Sequence, residues 1–241
     1  DGSPELADHI YLNDGKGNFN KSTLIKTISS GSCVVPHDVD GDGDLDLFRG
    51  GQVVAGTYPK APRSYFMMNE NGKLMDRTGE VSPGISELGM VNSAAWVDLN
   101  GDATAELVIV GEWMPVKILE YDQGKLTDVS ATYGVENTEG WWNKVVADDI
   151  DDDGDMDLIV GNIGENYKFK ATPEKPFQVF AKDFDGNGTN DVFLARYVKD
   201  TQLVPIRGKE CTSQQMPAIA EKFPTFLSFA TSDLPTILGA D

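Results

Sequence analysis

Asp38–Asp46 reads "DVDGDGDLD" and holds five aspartates in nine residues. Like charges this dense repel, so a folded chain that keeps them needs a compensating partner. The pattern returns as "DLNGDATAE" (98–106), "DIDDDGDMD" (149–157) and "DFDGNGTND" (183–191). In all four stretches an oxygen-bearing side chain stands at positions 1, 3, 5 and 9. Position 6 is Gly43, Gly154 or Gly188, with Ala103 in the second copy. Alternating short carboxylates followed by a glycine are how a chain wraps a hard cation in oxygens, and calcium suits such a flexible cage better than magnesium. The glycine supplies a positive φ, after which position 7 can offer its carbonyl.

An EF-hand requires a bidentate Glu at position 12 and a helix on each side. Position 12 here is Arg49, Ile109, Val160 or Leu194, and the flanks, such as "LDLFRGG", "AELVIVGEW" and "MDLIVGNIG", read as short buried strands. Each acidic stretch is therefore expected to join two antiparallel strands. A polar Asp-Gly turn would account for one copy, but four copies in one phase favour metal. The candidate ligands are Asp38, Asp40, Asp42, Asp44 and Asp46; Asp149, Asp151, Asp153, Asp155 and Asp157; and Asp183, Asp185, Asn187, Thr189 and Asp191. The stretch 98–106 has Asn100, Glu106 and Ala103 at diagnostic positions and is expected to bind weakly or not at all. About three Ca²⁺ ions are thus expected.

The repeats start at 38, 98, 149 and 183, and between them lie candidate outer hairpins around Asn71-Gly72 and Gln123-Gly124. Repeats of this size with several strands each fit a β-propeller. The interval 161–182 is too short for a full blade. "HIYLNDGKGNFNKS" reads as an outer hairpin without inner strands, so the chain is expected to be part of a larger propeller. Blades are assigned to 1–204, and short helices to 205–241 from "TSQQMPAIAEKFPTFLSF" and "SDLPTILG".

The "DVDGDGDLDLFRGG" and "DIDDDGDMDLIVGNIG" stretches, with "YLNDGKGNF", resemble FG-GAP/VCBS repeats. These are the repeats of the integrin α-subunit β-propeller and of many bacterial exported proteins. The resemblance covers roughly residues 8–205 and implies an all-β propeller of four-stranded antiparallel blades, calcium in the blade hairpins, and adhesion or ligand binding.

The chain has 241 residues, 40% hydrophobic, with a net charge of −19 and a pI near 4.3. Such acidity disfavours nucleic acid or anionic membrane as a partner, and no run of apolar residues is long enough to span a bilayer. The multi-site, carboxylate-rich loops fit the millimolar calcium outside cells, so an extracellular, cell-surface or periplasmic location is expected. Cys33 and Cys211 leave a disulfide and two free thiols equally open.

On the blade face opposite the acidic bends the sequence places Gly111-Glu112-Trp113, a linker containing Gly140, Trp141, Trp142 and Asn143, and the segment 161–166. Trp113, Trp141, Trp142 and Asn143 form a candidate platform for a glycan or protein ligand; packing between blades is the competing role. Catalysis finds little support, because only His9 and His37 are present. The alternative is a carbohydrate-active enzyme, a polysaccharide lyase or glycosidase, for which a metal exposed in a cleft beside Lys, Arg or Tyr would be the sign.

Overall fold

The computed structural model describes residues 2–22, 27–164, 167–198 and 201–239. Contacts divide the chain into two units: residues 1–55 with 60–163, and residues 56–59 with 164–241. The division falls inside the repeat region, whereas the change from strand to helix lies within the second unit.

In the first unit, β1 (Ile10–Asn13) and β2 (Phe19–Ser22) form an antiparallel hairpin. Next come β3 (Gly31–His37), β4 (Asp46–Gly51), β5 (Tyr65–Asn69) and β6 (Leu74–Asp76), an antiparallel sheet in sequence order, followed by the short helix α1 (Thr78–Val81). The pattern repeats in β7 (Met90–Val97), β8 (Glu106–Met114), β9 (Lys117–Asp122) and β10 (Lys125–Asp128). A third pair, β11 (Gly140–Asp148) and β12 (Asp157–Asn162), has no outer hairpin among the described residues. Both expected outer hairpins turn on two residues of positive φ: Asn71 and Gly72 at 55° and 81°, and Gln123 and Gly124 at 46° and 81°. That backbone twist matches the flanking strands.

The strand β8 shows why these blades stack. Leu107 and Ile109 point into one apolar core with Phe48 and Phe66 of the first blade and Val91 of β7, while Val108 and Val110 enter a second core with Val145 of β11. All four β8 side chains are fully buried. Alternation along a strand explains the "LVIV" run, since both faces of the blade are covered. Each such side chain contributes about 2 kcal/mol through burial.

Two polar devices recur. Thr78 Oγ1 accepts the Phe66 N–H at 2.9 Å and donates to Asp76 at 2.6 Å. Ser130 Oγ does the same for the Ile118 N–H at 3.0 Å, with Asp128 as acceptor. This D-x-[S/T] pair, whose Asp closes each outer strand and whose Ser or Thr lies two residues on, satisfies a buried N–H at the start of the third strand. Elsewhere, Arg49 is 3% exposed and forms a two-pronged ion pair with Asp8, Nε to Oδ2 at 2.7 Å and Nη2 to Oδ1 at 3.3 Å, while also donating to Ser29. It pins residues 8 and 27–30 to the first blade on the side away from the Phe48 core.

In the second unit, β13 (Gln178–Lys182), β14 (Asp191–Val198) and β15 (Gln202–Pro205) form one antiparallel sheet. The helices α2 (Lys209–Gln215), α3 (Ala218–Lys222), α4 (Phe226–Ala230) and α5 (Leu234–Leu238) follow as expected. Phe193 and Ala195 of β14 pack with Met216, Ile219, Phe223, Phe229, Leu234 and Ile237. Thr225 and Ser228 cap α4 reciprocally, Asp233 caps α5, and Gly239 stops it at φ 79°. The fold is mostly β and propeller-like; no closed ring of blades forms among the described residues.

Asp8→Ala should lower stability to urea by about 3 kcal/mol, because it strands a buried guanidinium. Ser130→Ala should cost about 1–3 kcal/mol, because it leaves the buried Ile118 N–H without an acceptor.

Candidate metal loops and aromatic ledge

The four acidic stretches occupy the bends β3–β4, β7–β8, β11–β12 and β13–β14. Each is a chain of side-chain-to-backbone hydrogen bonds. The position 1 carboxylate accepts two turn N–H groups: Gly41 and Gly43 for Asp38, Gly101 and Ala103 for Asp98, Asp153 and Gly154 for Asp149, Asn187 and Gly188 for Asp183. The position 5 side chain accepts the position 7 N–H in all four, at 2.8 Å for Asp42, 2.7 Å for Asp102, 3.2 Å for Asp153 and 2.8 Å for Asn187. The position 9 carboxylate accepts the position 2 N–H: Val39 to Asp46 at 3.1 Å, Leu99 to Glu106 at 2.9 Å, Ile150 to Asp157 at 3.0 Å and Phe184 to Asp191 at 3.2 Å. These are Asx-type turns, for which Asp and Asn are suited.

Two positions per bend take positive φ. Position 6 does so as expected, with Gly43, Gly154 and Gly188 at 92°, 96° and 86° and Ala103 at 71°. Position 4 does too, through Gly41, Gly101 and Gly186 at 74°, 75° and 72° and Asp152 at 60°. That second requirement escaped the sequence reading, although three glycines marked it.

Three bends bring carboxylates together. Asp38, Asp40 and Asp42 converge, as do Asp149, Asp151 and Asp157, and Asp183, Asp185 and Asp191; within each triplet one oxygen per residue lies within 4.8 Å of the others. The donor set is oxygen alone, with no thiolate or imidazole, which fits a hard cation such as Ca²⁺ or Mg²⁺. In the first loop Asp46 is 2% exposed, and both its oxygens accept N–H groups, from Val39 and from Asn69 at 2.8 Å. Asp44 reaches the outer hairpin, accepting from the Asn71 N–H at 3.1 Å. Burial pushes the Asp46 and Asp191 carboxyls up, with further repulsion from Asp40 and Asp42, and from Asp185 and Asp183. The Asp155 carboxyl is pushed up chiefly by Asp153. Uncompensated negative charge of this kind is what a bound cation relieves.

The 98–106 bend differs. Among the described residues no carboxylate triplet forms there. Burial acts to raise the Asp98 carboxyl, but hydrogen bonds from Ala103 and Gly101 outweigh it and leave the group below its ordinary value. The Asn100 amide donates to Glu106 Oε1 at 3.0 Å, so a side-chain N–H stands where the other loops leave a carboxylate oxygen facing its neighbours.

The first loop also borders a cavity of 440 Å³. Asp40 and Asp42 line it together with Glu70, Arg77, Glu80 and Lys125. Arg77 is tied to Glu70 at 2.7 Å and to Glu80 at 3.0 Å, and Lys125 donates to the Glu80 carbonyl.

The aromatic residues assigned to loops and linkers lie in strands instead. β8 and β11 run on past their blades and pair with each other, Gly140 with Met114 and Trp141 with Glu112. Beside it, Gly111 lets β7 pair closely with β8, since a Cβ there would lie 2.0 Å from the Met90 carbonyl oxygen. Trp113 and Trp141 meet at 5.3 Å between ring centroids, and Trp113 holds a φ of 58°. A positive φ is strained for so bulky a residue. Trp142 turns into the second core, its indole N–H donated to the Thr138 carbonyl at 2.9 Å. Asn143 is exposed at a bulge in β11. Of the segment 161–166, residues 165 and 166 lie outside the described residues. Trp96 packs on the first core against His37 and Phe66. Both cysteines are free thiols.

With the bends and strands in place, the family comparison falls where the geometry does. The FG-GAP-like repeat family matches residues 2–48 and 98–160. The chain carries FG-GAP-like repeats. The two matched stretches include the β1–β2 hairpin and three inner strand pairs or their bends, while the fourth bend and the helical end fall outside them. No curated protein matches the chain. No helix among the described residues is long and apolar enough to cross a membrane.

Ala103→Gly should raise thermal stability by about 1 kcal/mol, because it removes the left-handed strain of an L side chain. Asp152→Gly should gain less, since Asp tolerates that region better; paired thermal melts compare them.

Proposed function

We propose that this FG-GAP repeat chain is a calcium-stabilised binding module, exported or displayed at a cell surface, that recognises a glycan or protein ligand. The observation that carries the reading is the convergence of three all-oxygen carboxylate triplets at blade bends. Calcium there would cancel the repulsion within each triplet and lock the inner strands, leaving ligand contact to other surfaces. The ledge of Trp113 and Trp141, with exposed Asn143 beside it and Trp142 holding β11 in place, offers an apolar platform with hydrogen-bonding neighbours. Asp44, Asp153, Asp155, Asn187 and Thr189 complete the ion shells through side chains or carbonyls.

One observation favours a second reading, a carbohydrate-active enzyme. The cavity beside the first loop sets Asp40 and Asp42 against Arg77 and Lys125. An ion there could polarise a substrate carboxylate, and Lys125 could move a proton. Polysaccharide turnover that is lost in Lys125→Ala would favour this reading, and binding without turnover favours the first.

Calcium should raise the melting temperature, and a chelator should reverse the rise. A site filled at one hundred times its Kd adds about 2.7 kcal/mol. Asp40→Ala, Asp151→Ala and Asp185→Ala should each remove part of the calcium-dependent gain, and Asp98→Ala none of it. A melting temperature indifferent to calcium rejects the metal reading. Trp141→Ala should weaken ligand capture on a glycan array without altering the calcium response.

A further inference from the structure

Nearly all of the chain's charge sits in one unit. Residues 164–241 hold nine Lys and Arg against ten Asp and Glu, so the −19 of the whole chain resides almost entirely in residues 1–163. Within the second unit, the stretch 167–182 is locally basic, with Lys168, Lys170, Lys175 and Lys182 against Glu174 alone. This stretch stands where the first two blades place their outer strands. Its described residues before β13 form only an isolated bridge between Thr172 and Lys175.

What it builds instead is an aromatic cluster carrying cations. Phe169 stacks on Phe177 at 5.4 Å with planes 6° apart, and Tyr167 meets Phe169 edge to face at 5.1 Å. Lys168 Nζ lies 4.8 Å from the Phe169 centroid and the Arg196 guanidinium, from β14, lies 5.6 Å from it. Lys168 and Arg196 are exposed, and Tyr167 is 40% exposed. Among the described residues neither cation forms an ion pair, although Arg49, Arg63, Arg77 and Lys117 all do. Glu174 is engaged by the Thr172 hydroxyl at 3.0 Å.

We propose that Tyr167, Lys168, Phe169 and Arg196 form a binding site for a carboxylate-bearing saccharide, a uronic-acid unit within a glycan. Two cations within 6 Å of one ring can grip a single anionic group, and a guanidinium matches a carboxylate two-pronged. The exposed tyrosine ring suits the apolar C–H face of a pyranose. A uronic acid carries that face and the carboxylate on one rigid ring. An acidic peptide side chain supplies the charge but no flat face, and the chain's net charge of −19 opposes the dense phosphate backbone of a nucleic acid more than a glycan carrying isolated carboxylates. The proposal rests on the binding-module reading and names its ligand class, but it uses none of the loop carboxylates.

The test is titration calorimetry on the whole chain in calcium buffer, with a glucuronate-containing oligosaccharide, an uncharged oligosaccharide of equal length and poly-glutamate as probes. The glucuronate oligosaccharide should bind, the uncharged one should not, and added salt should weaken the complex. Arg196→Gln and Lys168→Gln should each lower affinity about tenfold, with melting temperature unchanged because both side chains are exposed. Lys16→Gln, at an exposed lysine of the β1–β2 turn that has no part in either proposed surface, should leave this binding intact, which separates the site from general surface charge. Should Arg196→Gln fail to fold, Lys168→Gln carries the test alone. Equal binding of the uncharged sugar, tighter binding of poly-glutamate, or unchanged affinity in the glutamine variants would overturn the proposal. The calcium melting shift is read separately, so the metal reading and this one can fail independently.

Discussion

At each acidic bend the carboxylate of position 9 reaches back to the N–H of position 2, and the carboxylate of position 1 gathers two N–H groups from the turn between them. Seven residues of chain are thereby folded onto two anchors, one at each end. The anchors are the last residue before the turn and the first of the next strand, so the bend fixes how the two inner strands enter the sheet. This also explains why the side chains are short: Asp and Asn reach a backbone N–H two to five residues away without spending much rotamer freedom. The arrangement gathers negative charge as a by-product. Where position 3 is also a carboxylate the charge goes uncompensated, and where Asn100 stands there its amide donates to the Glu106 anchor and the loop is satisfied within itself.

The inner strands set by these bends build the cores. In β8 both faces are buried, one against the first blade and one against β11. A sheet covered on both sides has no use for polar alternation, which is why the run Leu107–Val110 is uniformly apolar. Outer hairpins are attached by a different device, the Asp76–Thr78 and Asp128–Ser130 pairs that satisfy one buried N–H each. The β11–β12 pair has neither outer hairpin nor such a clamp among the described residues. Correspondingly Val146 and Ile159, paired across that sheet, are 47% and 52% exposed.

The acidic charge and the proposed recognition surfaces separate along the chain. The acidic loops organise strands, and their oxygens face inward on the turn. The surfaces we propose for recognition lie elsewhere: the Trp113–Trp141 ledge where two strands overrun and the cation-bearing aromatic cluster of the second unit. A repeat fold makes this division natural, because the repeated part must satisfy backbone geometry in every copy while the irregular parts are free to vary.

The repeat itself was legible in the residues. Spacing of Asp, Asn and Gly over nine positions identified the bends, excluded flanking helices and singled out the 98–106 copy as the deviant one. Asn71-Gly72 and Gln123-Gly124 marked the outer hairpins, because two positive φ values in succession leave few residue choices. All of this is local chemistry, set within a few residues. What only the tertiary structure decided involves partners far apart in sequence. Gly111 and Gly140 read as breaks, yet they sit inside strands, since the missing side chains leave room for the Met90 carbonyl of β7 and for the Trp142 ring. Trp142 goes to the core and Trp141 to the ledge, because adjacent residues on a strand face opposite sides. Arg49 finds Asp8 forty-one residues away, and Arg196 finds Phe169 only once β14 is in its sheet. The sequence determines the turns because turns close on themselves; which side chains meet across the fold depends on how the strands those turns connect are stacked.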